Sequence, residues 1–570
     1  MKSNFTLRLR IVSLVIILIT FVFVGRLFLV QVVKKEVFAE RADRQYVTPT
    51  DQIFERGSIL FTRKDGELVS GALQISGFKL AINPNKISNI ENTYEKLNAI
   101  VPLDKEDFLA KANKKDDPYE DVTNHLNKKQ ADIISSLKLP GIEMHKEKWR
   151  FYPGNNTASH SLGFVGYQGD SLGGRYGLER KYDEVLSRDK DNPYINFFAE
   201  VFTDLNDNLF KDKVKKGDIV TTIEPNVEAF LEKEILAVKA KYNADQIGGI
   251  IMNPRDGSIY AVSSKPDFNL NDFRSVEDIS VFRNPMVENV LEFGSIVKPL
   301  VMASALDAKV LKPTTTYTDN GFVTVEGKQI YNFDKKGRGA NTSMQDVLNQ
   351  SLNTGMVFAY KKLGKEKFRD YMLSYGIKEK TNIDLPNETG SLISNLYSPR
   401  ELEYANASFG QGIALTPFQM IRALASLANG GNLVTPHFVT KIKYDDSTFK
   451  DIVYETKPTK ISPETSREIT NMLVTVMDKS LKGGTAKIER HSIGVKTGTA
   501  QVARPDGKGY YEDRNTHSFF GYFPAYDPKF IVLLYAVNPK GSQYAWITWA
   551  DPFLNIAKFL LNYYEVPPDR

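Results

Sequence analysis

The stretch Leu291-Glu292-Phe293-Gly294-Ser295-Ile296-Val297-Lys298-Pro299 decides how the chain reads. It sets a serine and a lysine three residues apart at what the pattern marks as the start of a helix. Residues i and i+3 share one helical face, so the lysine amine is expected within reach of the serine hydroxyl. Gly294 suits a tight turn ahead of the helix. Pro299 is tolerated only in the first turn, where backbone donors have no intrahelical partner. A serine at that end also lies in the positive field of the helix, which favours developing negative charge. The spacing alone is not selective: Ser-x-x-Lys occurs five times, as Ser76–Lys79, Ser135–Lys138, Ser187–Lys190, Ser295–Lys298 and Ser447–Lys450.

Two later motifs single out the fourth copy. Ser351-Leu352-Asn353 is the only Ser-x-Asn in the chain, and Lys496-Thr497-Gly498-Thr499 holds the only Lys-Thr-Gly. A neutral serine hydroxyl is a poor nucleophile. A lysine amine serves as its base only if its pKa falls well below the free value of about 10.4. Burial and a second cation both push that way, and Lys496 is expected to be that cation. In this scheme Ser295 is the nucleophile, Lys298 the base, and Ser351 the relay that passes a proton to the leaving amine. Asn353 is expected to hold a substrate amide with one end and to orient Lys298 with the other. Lys496, Thr497 and Thr499 suit a substrate carboxylate. Gly498 lets a substrate backbone approach the strand edge, so that a peptide lies there as an added strand. Backbone N–H groups of Ser295 and Thr499 are expected to form an oxyanion hole. Taken singly, Ser351–Asn353 reads as a helix cap and Lys496–Thr499 as a solvated strand end; their order in one domain favours catalysis. His517, beside Ser518, is expected to pack at a strand end, since no acid is placed to orient it.

Composition removes other chemistries. With no cysteine there is no disulfide, thiol nucleophile or thiolate metal site. The six histidines are not closely paired, so neither a metal nor another cofactor is expected. A net charge of +5 on 570 residues is too mild to argue for nucleic acid. Residues 11–25 (IVSLVIILITFVFVG) carry no charge, and 27–33 (LFLVQVV) continue the apolar run after Arg26. About 20 residues suffice to cross a bilayer. No small-x-small cleavage pattern follows, so 11–33 is expected to be an uncleaved transmembrane anchor, with 1–10 a short cytoplasmic tail carrying Lys2, Arg8 and Arg10.

Beyond the anchor the chain divides near Lys215-Lys216-Gly217-Asp218 into an extended mixed α/β module, 34–217, and a larger domain, 218–570. In the first, Lys64-Asp65-Gly66 marks a hairpin, 89–137 reads as charged helices and loops, and Gly173–Glu179 reads as a structural turn into a helix. In the second, a strand is expected at 219–223 and a helix from Glu224-Pro225. Strands follow at 247–252 and 258–263 around the Asn253–Gly257 turn. A mostly helical stretch comes next, 295–480, then strands at 492–500, 517–523 and 530–537, and a closing helix at 549–564. Strands from both ends with helices between them imply an α+β fold, a central antiparallel sheet flanked by helices.

Ser-x-x-Lys, Ser-x-Asn and Lys-Thr-Gly in this order form the signature of penicillin-binding proteins and of class A β-lactamases. The chain resembles the class B penicillin-binding proteins, membrane-anchored peptidoglycan D,D-transpeptidases, along almost its whole length. The likeness includes Arg56-Gly57-Ser58-Ile59, Arg150-Phe151-Tyr152-Pro153, Gly177-Leu178-Glu179, Asn284, Thr416-Pro417-Phe418-Gln419, Ala428-Asn429-Gly430-Gly431 and Lys496–Gln501. It implies a non-catalytic pedestal of the dimerisation type over 34–217 and a penicillin-binding transpeptidase domain over 218–570. A single-pass anchor in the bacterial inner membrane would leave the catalytic domain outside the cytoplasm. It implies acylation by a pentapeptide stem with loss of terminal D-alanine, transfer to an amine of a neighbouring stem, and covalent inhibition by β-lactams. It also implies a glycosyltransferase of the shape, elongation, division and sporulation type as partner, within the divisome or elongasome. Phe293 stands where the family commonly has proline, and Val495 where it commonly has glycine. Ser-Leu-Asn is similar to the division enzymes and Gly410-Gln411-Gly412 to the elongation enzymes; division is the favoured role. The competing readings are a D,D-carboxypeptidase or β-lactamase, with water as acceptor, and an inactive wall scaffold. The long pedestal and the anchor weigh against the first, and the intact motif set against the second.

Overall fold

A computed structural model describes Leu14, Thr20 and residues 55–114, 116–168, 171–188, 215–504 and 509–570. Apart from Leu14 and Thr20, the anchor expected over 11–33 lies outside the described residues; among those described, no helix is long and apolar enough to cross a membrane. The described chain forms two compact units: Ser76–Trp149, and Glu55–Ile75 together with Arg150–Arg570.

The turn at Lys64–Gly66 joins strand β1 (Ile59–Thr62) to β2 (Leu68–Ile82), with Thr62 opposite Leu68. The first half of β2 belongs to the larger unit and the second half to the smaller. In the smaller unit β3 (Glu120–Leu126) runs antiparallel to β2, with Phe78 opposite Leu126, and β4 (Ile142–Phe151) also pairs with β2. Helices Ile90–Asn98, Lys105–Ala112 and Lys128–Ser136 are each capped by an Asn or Asp side chain, Asn89, Asp104 and Asn127. Leu80, Ile82, Leu97, Phe108, Leu126 and Ile134 form its core. The sequence led to helices and loops alone over 89–137. β3 was missed because its composition, Glu-Asp-Val-Thr-Asn-His-Leu, is polar and only Leu126 is buried. A strand stabilised by pairing rather than by a buried face leaves no period-2 signal.

In the larger unit β5 (Gly217–Thr221), near the strand expected at 219–223, does not join the central sheet. It lies between β1, parallel, and β8 (Val439–Tyr444), antiparallel. The chain then enters helix α1 (Pro225–Tyr242), where Glu224 caps Val227 N and Pro225 occupies the first turn. The central sheet is antiparallel throughout. Its order is β9 (Gly494–Ala503), β10 (Tyr510–Phe523), β11 (Phe530–Val537), β6 (Gln246–Met252), β7 (Ile259–Lys265). Asn253–Gly257 makes the β6–β7 turn, closed by Gly257 N donating to Asn253 O. The closing helix α5 (Ala545–Tyr563) packs with α1, the rings of Phe230 and Phe559 stacking at 4.1 Å. Helices α2 (Lys298–Asp307), α3 (Asn353–Leu363) and α4 (Pro463–Lys479) pack together, and α4 also packs on β9. The stretch 295–480 also holds short strands over 316–343 and 432–458, which the helical reading missed.

Three separated motifs meet at one buried charge cluster in the larger unit. Arg56 donates to Glu179 Oε2 at 2.6 Å, to Glu179 O at 2.8 Å and to Asp183 at 2.7 Å. Arg150 donates to Glu179 Oε1 at 2.6 Å and to Gly57 O at 2.7 Å, and Tyr152 OH donates to Glu179 Oε1 at 3.2 Å. The Arg56 and Glu179 side chains are fully buried. Gly57 has no room for a side chain, since an added Cβ would lie 2.1 Å from Gly217 O. Removing one member of a buried ion pair strands its partner's charge. Glu179→Ala is therefore expected to cost about 3–5 kcal/mol, measured by chemical denaturation of the purified protein; a loss under about 1 kcal/mol, the range of exposed pairs, would refute it.

Candidate active site

Leu291 pairs with Leu415, and a 3₁₀ turn, Gly294–Val297, then leads into α2. Ser295 thus lies in the 3₁₀ turn rather than in the α-helix itself, and Pro299 occupies the first turn of α2. At three residues per turn, positions 295 and 298 stack along one edge. Every residue of α2 from Lys298 to Leu306 is buried, so the helix carries its lysine into the core.

The turn is fastened to β9 by backbone proximity. Ser518 Oγ donates to Phe293 O at 2.6 Å. A Cβ on Gly498 would fall 2.4 Å from Phe293 O and 2.4 Å from Ser518 Oγ. Gly498 therefore makes room for the Phe293–Ile296 segment that carries Ser295. The sequence reading had it make room for a substrate backbone. Gly294, at φ +60°, sits as closely against Thr499 O, 3.0 Å from where its Cβ would be. Phe293 is 1% exposed and meets Tyr535 edge-on at 6.4 Å; Val495 is fully buried in β9. Both residues that depart from the family pattern are core-filling.

Lys298, Ser351, Asn353 and Lys496 converge. The Lys298 amine donates to Ser351 O at 2.7 Å and Asn353 Oδ1 at 2.8 Å, with Ser351 Oγ 3.4 Å away. Lys496 donates to Ser351 Oγ at 2.9 Å and to Thr497 O at 3.0 Å. Burial drives the pKa of Lys298 far below that of a free lysine, and the Lys496 charge adds to the effect. Burial alone lowers Lys496 to about 7. A neutral amine has two N–H bonds and one lone pair. In that neutral form, a Lys298 amine that donates to Ser351 O and Asn353 Oδ1 keeps its lone pair for a hydroxyl. Among the described residues none hydrogen-bonds the Ser295 hydroxyl, which is half-buried at the opening. Ser351 adopts φ +55°, which directs its carbonyl to Lys298 while its hydroxyl meets Lys496.

On its other side, Asn353 Nδ2 donates one of its two N–H bonds to Tyr331 O at 2.9 Å, which fixes the plane of the amide. Thr497 is half-buried and Thr499 exposed on β9, an edge strand with one side unpaired. Thr499 Oγ1 accepts from Ala545 N, at the start of α5, at 3.2 Å. The rings of Phe333, beside the Asn353 segment, and Tyr544, beside Ala545, approach to 5.9 Å. The sequence did not mark Tyr331, Ala545 or Ser518 as part of the site, because the first two act through backbone atoms and the hydroxyl of the third acts on a backbone carbonyl, that of Phe293. His517 is buried, accepts from or donates to Thr548 Oγ1 at 2.8 Å, and burial pushes its pKa down to about 4. Among the described residues no cluster of His, Asp or Glu is placed to hold a metal ion.

A serine, a buried lysine amine whose pKa is depressed and an edge strand at the end of an antiparallel sheet suit an acyl-transferring serine enzyme. Residues 247–556 match the penicillin binding protein transpeptidase domain and residues 55–200 the penicillin-binding protein dimerisation domain. Stage V sporulation protein D of Bacillus subtilis is 31% identical over the whole chain and 88% of its own length. Peptidoglycan D,D-transpeptidase FtsI of Escherichia coli is 24% identical over 96% of this chain and 90% of its own. The crystal structure of penicillin binding protein 2X from Streptococcus thermophilus shares the fold, with a TM-score of 0.72 at 20% identity over 90% of this chain and 81% of that one. The chain belongs to the class B penicillin-binding proteins and is a serine D,D-transpeptidase of that family.

The tight joint at Gly498 gives a direct test. Gly498→Ala must push the Phe293–Ser295 segment off β9, and overpacking of this kind costs about 1–3 kcal/mol. A lowered thermal midpoint is expected together with slower covalent labelling by a fluorescent penicillin; an unchanged variant would contradict the joint.

Proposed function

We propose that Ser295 is the acylated nucleophile and Lys298 its general base. The observation that carries this is the buried Lys298 amine with both N–H bonds already engaged. As Ser295 Oγ attacks the carbonyl carbon of the penultimate D-alanine, its proton passes to the Lys298 lone pair. The tetrahedral oxyanion is held by the backbone N–H groups of Ser295 and Thr499. The C–N bond to the terminal D-alanine then breaks. Its nitrogen takes a proton through Ser351, which bridges Lys298 and Lys496. An amine from a neighbouring stem attacks the ester, and Ser295 regains its proton as the cross-link forms. The donor strand lies along the free edge of β9, its carboxylate between protonated Lys496 and the hydroxyls of Thr497 and Thr499. Gly498 supports the site by letting the nucleophile segment approach β9. Asn353 orients Lys298 through Oδ1, and the second N–H of its Nδ2, the first being given to Tyr331 O, holds a substrate amide. β-Lactams, whose strained amide sits beside a carboxylate, acylate the same serine.

The cellular role is cross-linking in septal wall synthesis. Relatives named for division and for sporulation support that reading over one in elongation. The anchor at 11–33 holds the protein in the bacterial cytoplasmic membrane with 34–217 as pedestal and 218–570 as catalytic domain outside. A membrane glycosyltransferase supplies the glycan strands, since neither matched domain is a polymerase.

Labelled penicillin is expected on Ser295, and Ser295→Ala is expected to abolish it; label retained in that variant would end the assignment. The pH profile follows from the two lysines. Both pKa values are depressed, so the acylation rate is expected to fall, as Lys298 takes up a proton, only at a pH well below the titration of a free lysine. Lys496 titrates at about 7 in the free enzyme, so the second-order rate constant is expected to decline above that pH as the cation is lost. Lys496→Arg, which keeps its charge, is expected to remove the alkaline decline. A profile that instead rises through about pH 10, as for an unperturbed lysine, would exclude Lys298 as base. Depletion in the source cell is expected to give filaments; rounded cells would assign elongation instead.

A further inference from the structure

Helix α3 begins at Asn353, yet its own N-cap, Leu352, contributes no side-chain hydrogen bond. The first backbone donors of a helix need partners, and here they come from elsewhere in the chain. Asn332 Oδ1 accepts from Asn353 N at 3.0 Å and Thr354 N at 3.2 Å. Its Nδ2 donates to both carboxylate oxygens of Asp319, at 3.1 and 2.9 Å, and to Lys336 O at 3.2 Å. The orientation of this amide is fixed chemically, since its oxygen faces two N–H groups and its nitrogen a carboxylate. Asp319 also accepts from Gly321 N, Arg338 N and Thr354 Oγ1. The Thr354 hydroxyl shares its one proton between Asp319 Oδ1 at 2.8 Å and Asn332 Oδ1 at 3.1 Å, so Tyr317 OH, 2.9 Å away, must donate to Thr354. Asp319 and Asn332 are each 1% exposed.

The preceding residue completes the clamp. Tyr331 O accepts from Asn353 Nδ2, and Asn353 Oδ1 accepts from the Lys298 amine. Residues 331 and 332 therefore hold Asn353 by its side chain and its backbone at once. Resting on the reading of Lys298 as base for Ser295, we propose that Asn332, locked by Asp319, is a positioning residue for that base. It caps α3 from a distant segment, which fixes Asn353 and through it the direction of the Lys298 lone pair. The pair touches no substrate; it acts only through Asn353.

The test is penicillin acylation of the full-length protein, separating the noncovalent constant K from the acylation rate k2 per active site. Asn332→Ala is expected to lower k2 about a hundredfold, the scale of a misplacement of roughly 1 Å. K should stay within about threefold, because the Lys496–Thr499 side is untouched. A residue that only stabilised the fold would lower the thermal midpoint and the labelled fraction but leave k2 of the remaining sites unchanged; that result overturns the proposal. Two further variants keep the question decidable if Asn332→Ala does not fold. Asn332→Asp sets two carboxylates face to face, and Asp319→Asn removes the anchor, so each is expected to slow k2. The double exchange restores a carboxylate on the helix and an amide behind it. It is expected to recover k2 to within about tenfold of the parent, the coupling of a directly interacting pair. A double variant no faster than the slower single one overturns the inference while leaving Ser295 and Lys298 in place. Absence of label on Ser295 of the parent would overturn both.

Discussion

The structure turns on keeping one primary amine dry. A lysine at a solvent-exposed helix start stays protonated and is no base. Lys298 escapes this because α2 is buried on all sides, which requires packed elements around the whole helix, α3 and α4 among them. Each unit by which the pKa falls, down to the ambient pH, costs about 1.4 kcal/mol, and this cost must be met by the apolar packing around the amine. Two acceptors, Ser351 O and Asn353 Oδ1, limit it by satisfying both N–H bonds. A second buried lysine nearby, Lys496, adds repulsion that further favours the neutral form.

That requirement explains how the helical and sheet sides are joined. The proposed nucleophile must remain accessible while its proposed base is enclosed; half-buried Ser295 lies on the short 3₁₀ turn and buried Lys298 one step further in. The turn is held against β9 through Gly498, Phe293 O and Ser518. Any side chain at 498 would part the serine from the strand on which the substrate is proposed to lie. Phe293 and Val495 replace smaller or stiffer residues in the family pattern without entering the cleft, because their bulk goes into the core.

The sequence was most informative where residues act through identity and order. The unique Ser-x-Asn and Lys-Thr-Gly separated Ser295–Lys298 from four equivalent spacings, and the structure draws Lys298, Ser351, Asn353 and Lys496 together. The sheet was legible from turns such as Asn253–Gly257 and from the apolar runs of β6 and β11, which are buried on both faces. It was least informative where residues act through position. β3 is polar, the short strands of 316–343 are largely exposed, and β5 pairs with segments about 160 and 220 residues away. Asn332 caps a helix that starts 21 residues later, beyond the reach of any local capping pattern. The bond from Asn353 Nδ2 to Tyr331 O was hidden for the same reason, since its partner is a backbone carbonyl that every residue possesses.

Ser351 shows how chemistry and conformation compete at one position. A φ of +55° places a non-glycine residue in the left-handed region, at a cost of roughly 1–2 kcal/mol. Glycine would remove the strain and still present the carbonyl to Lys298. It would also delete the hydroxyl that takes a hydrogen bond from Lys496 and lies beside Lys298. The left-handed turn is what lets one residue offer a carbonyl and a hydroxyl to two different amines. A serine held in a glycine's conformation is therefore intelligible only if the hydroxyl is used. Two bonds to buried amines keep the strained geometry in place, with α3 fixed at its start by Asn332. Local strain of this kind persists where the surroundings over-determine it, and here the over-determining contacts are the ones the proposed proton relay needs.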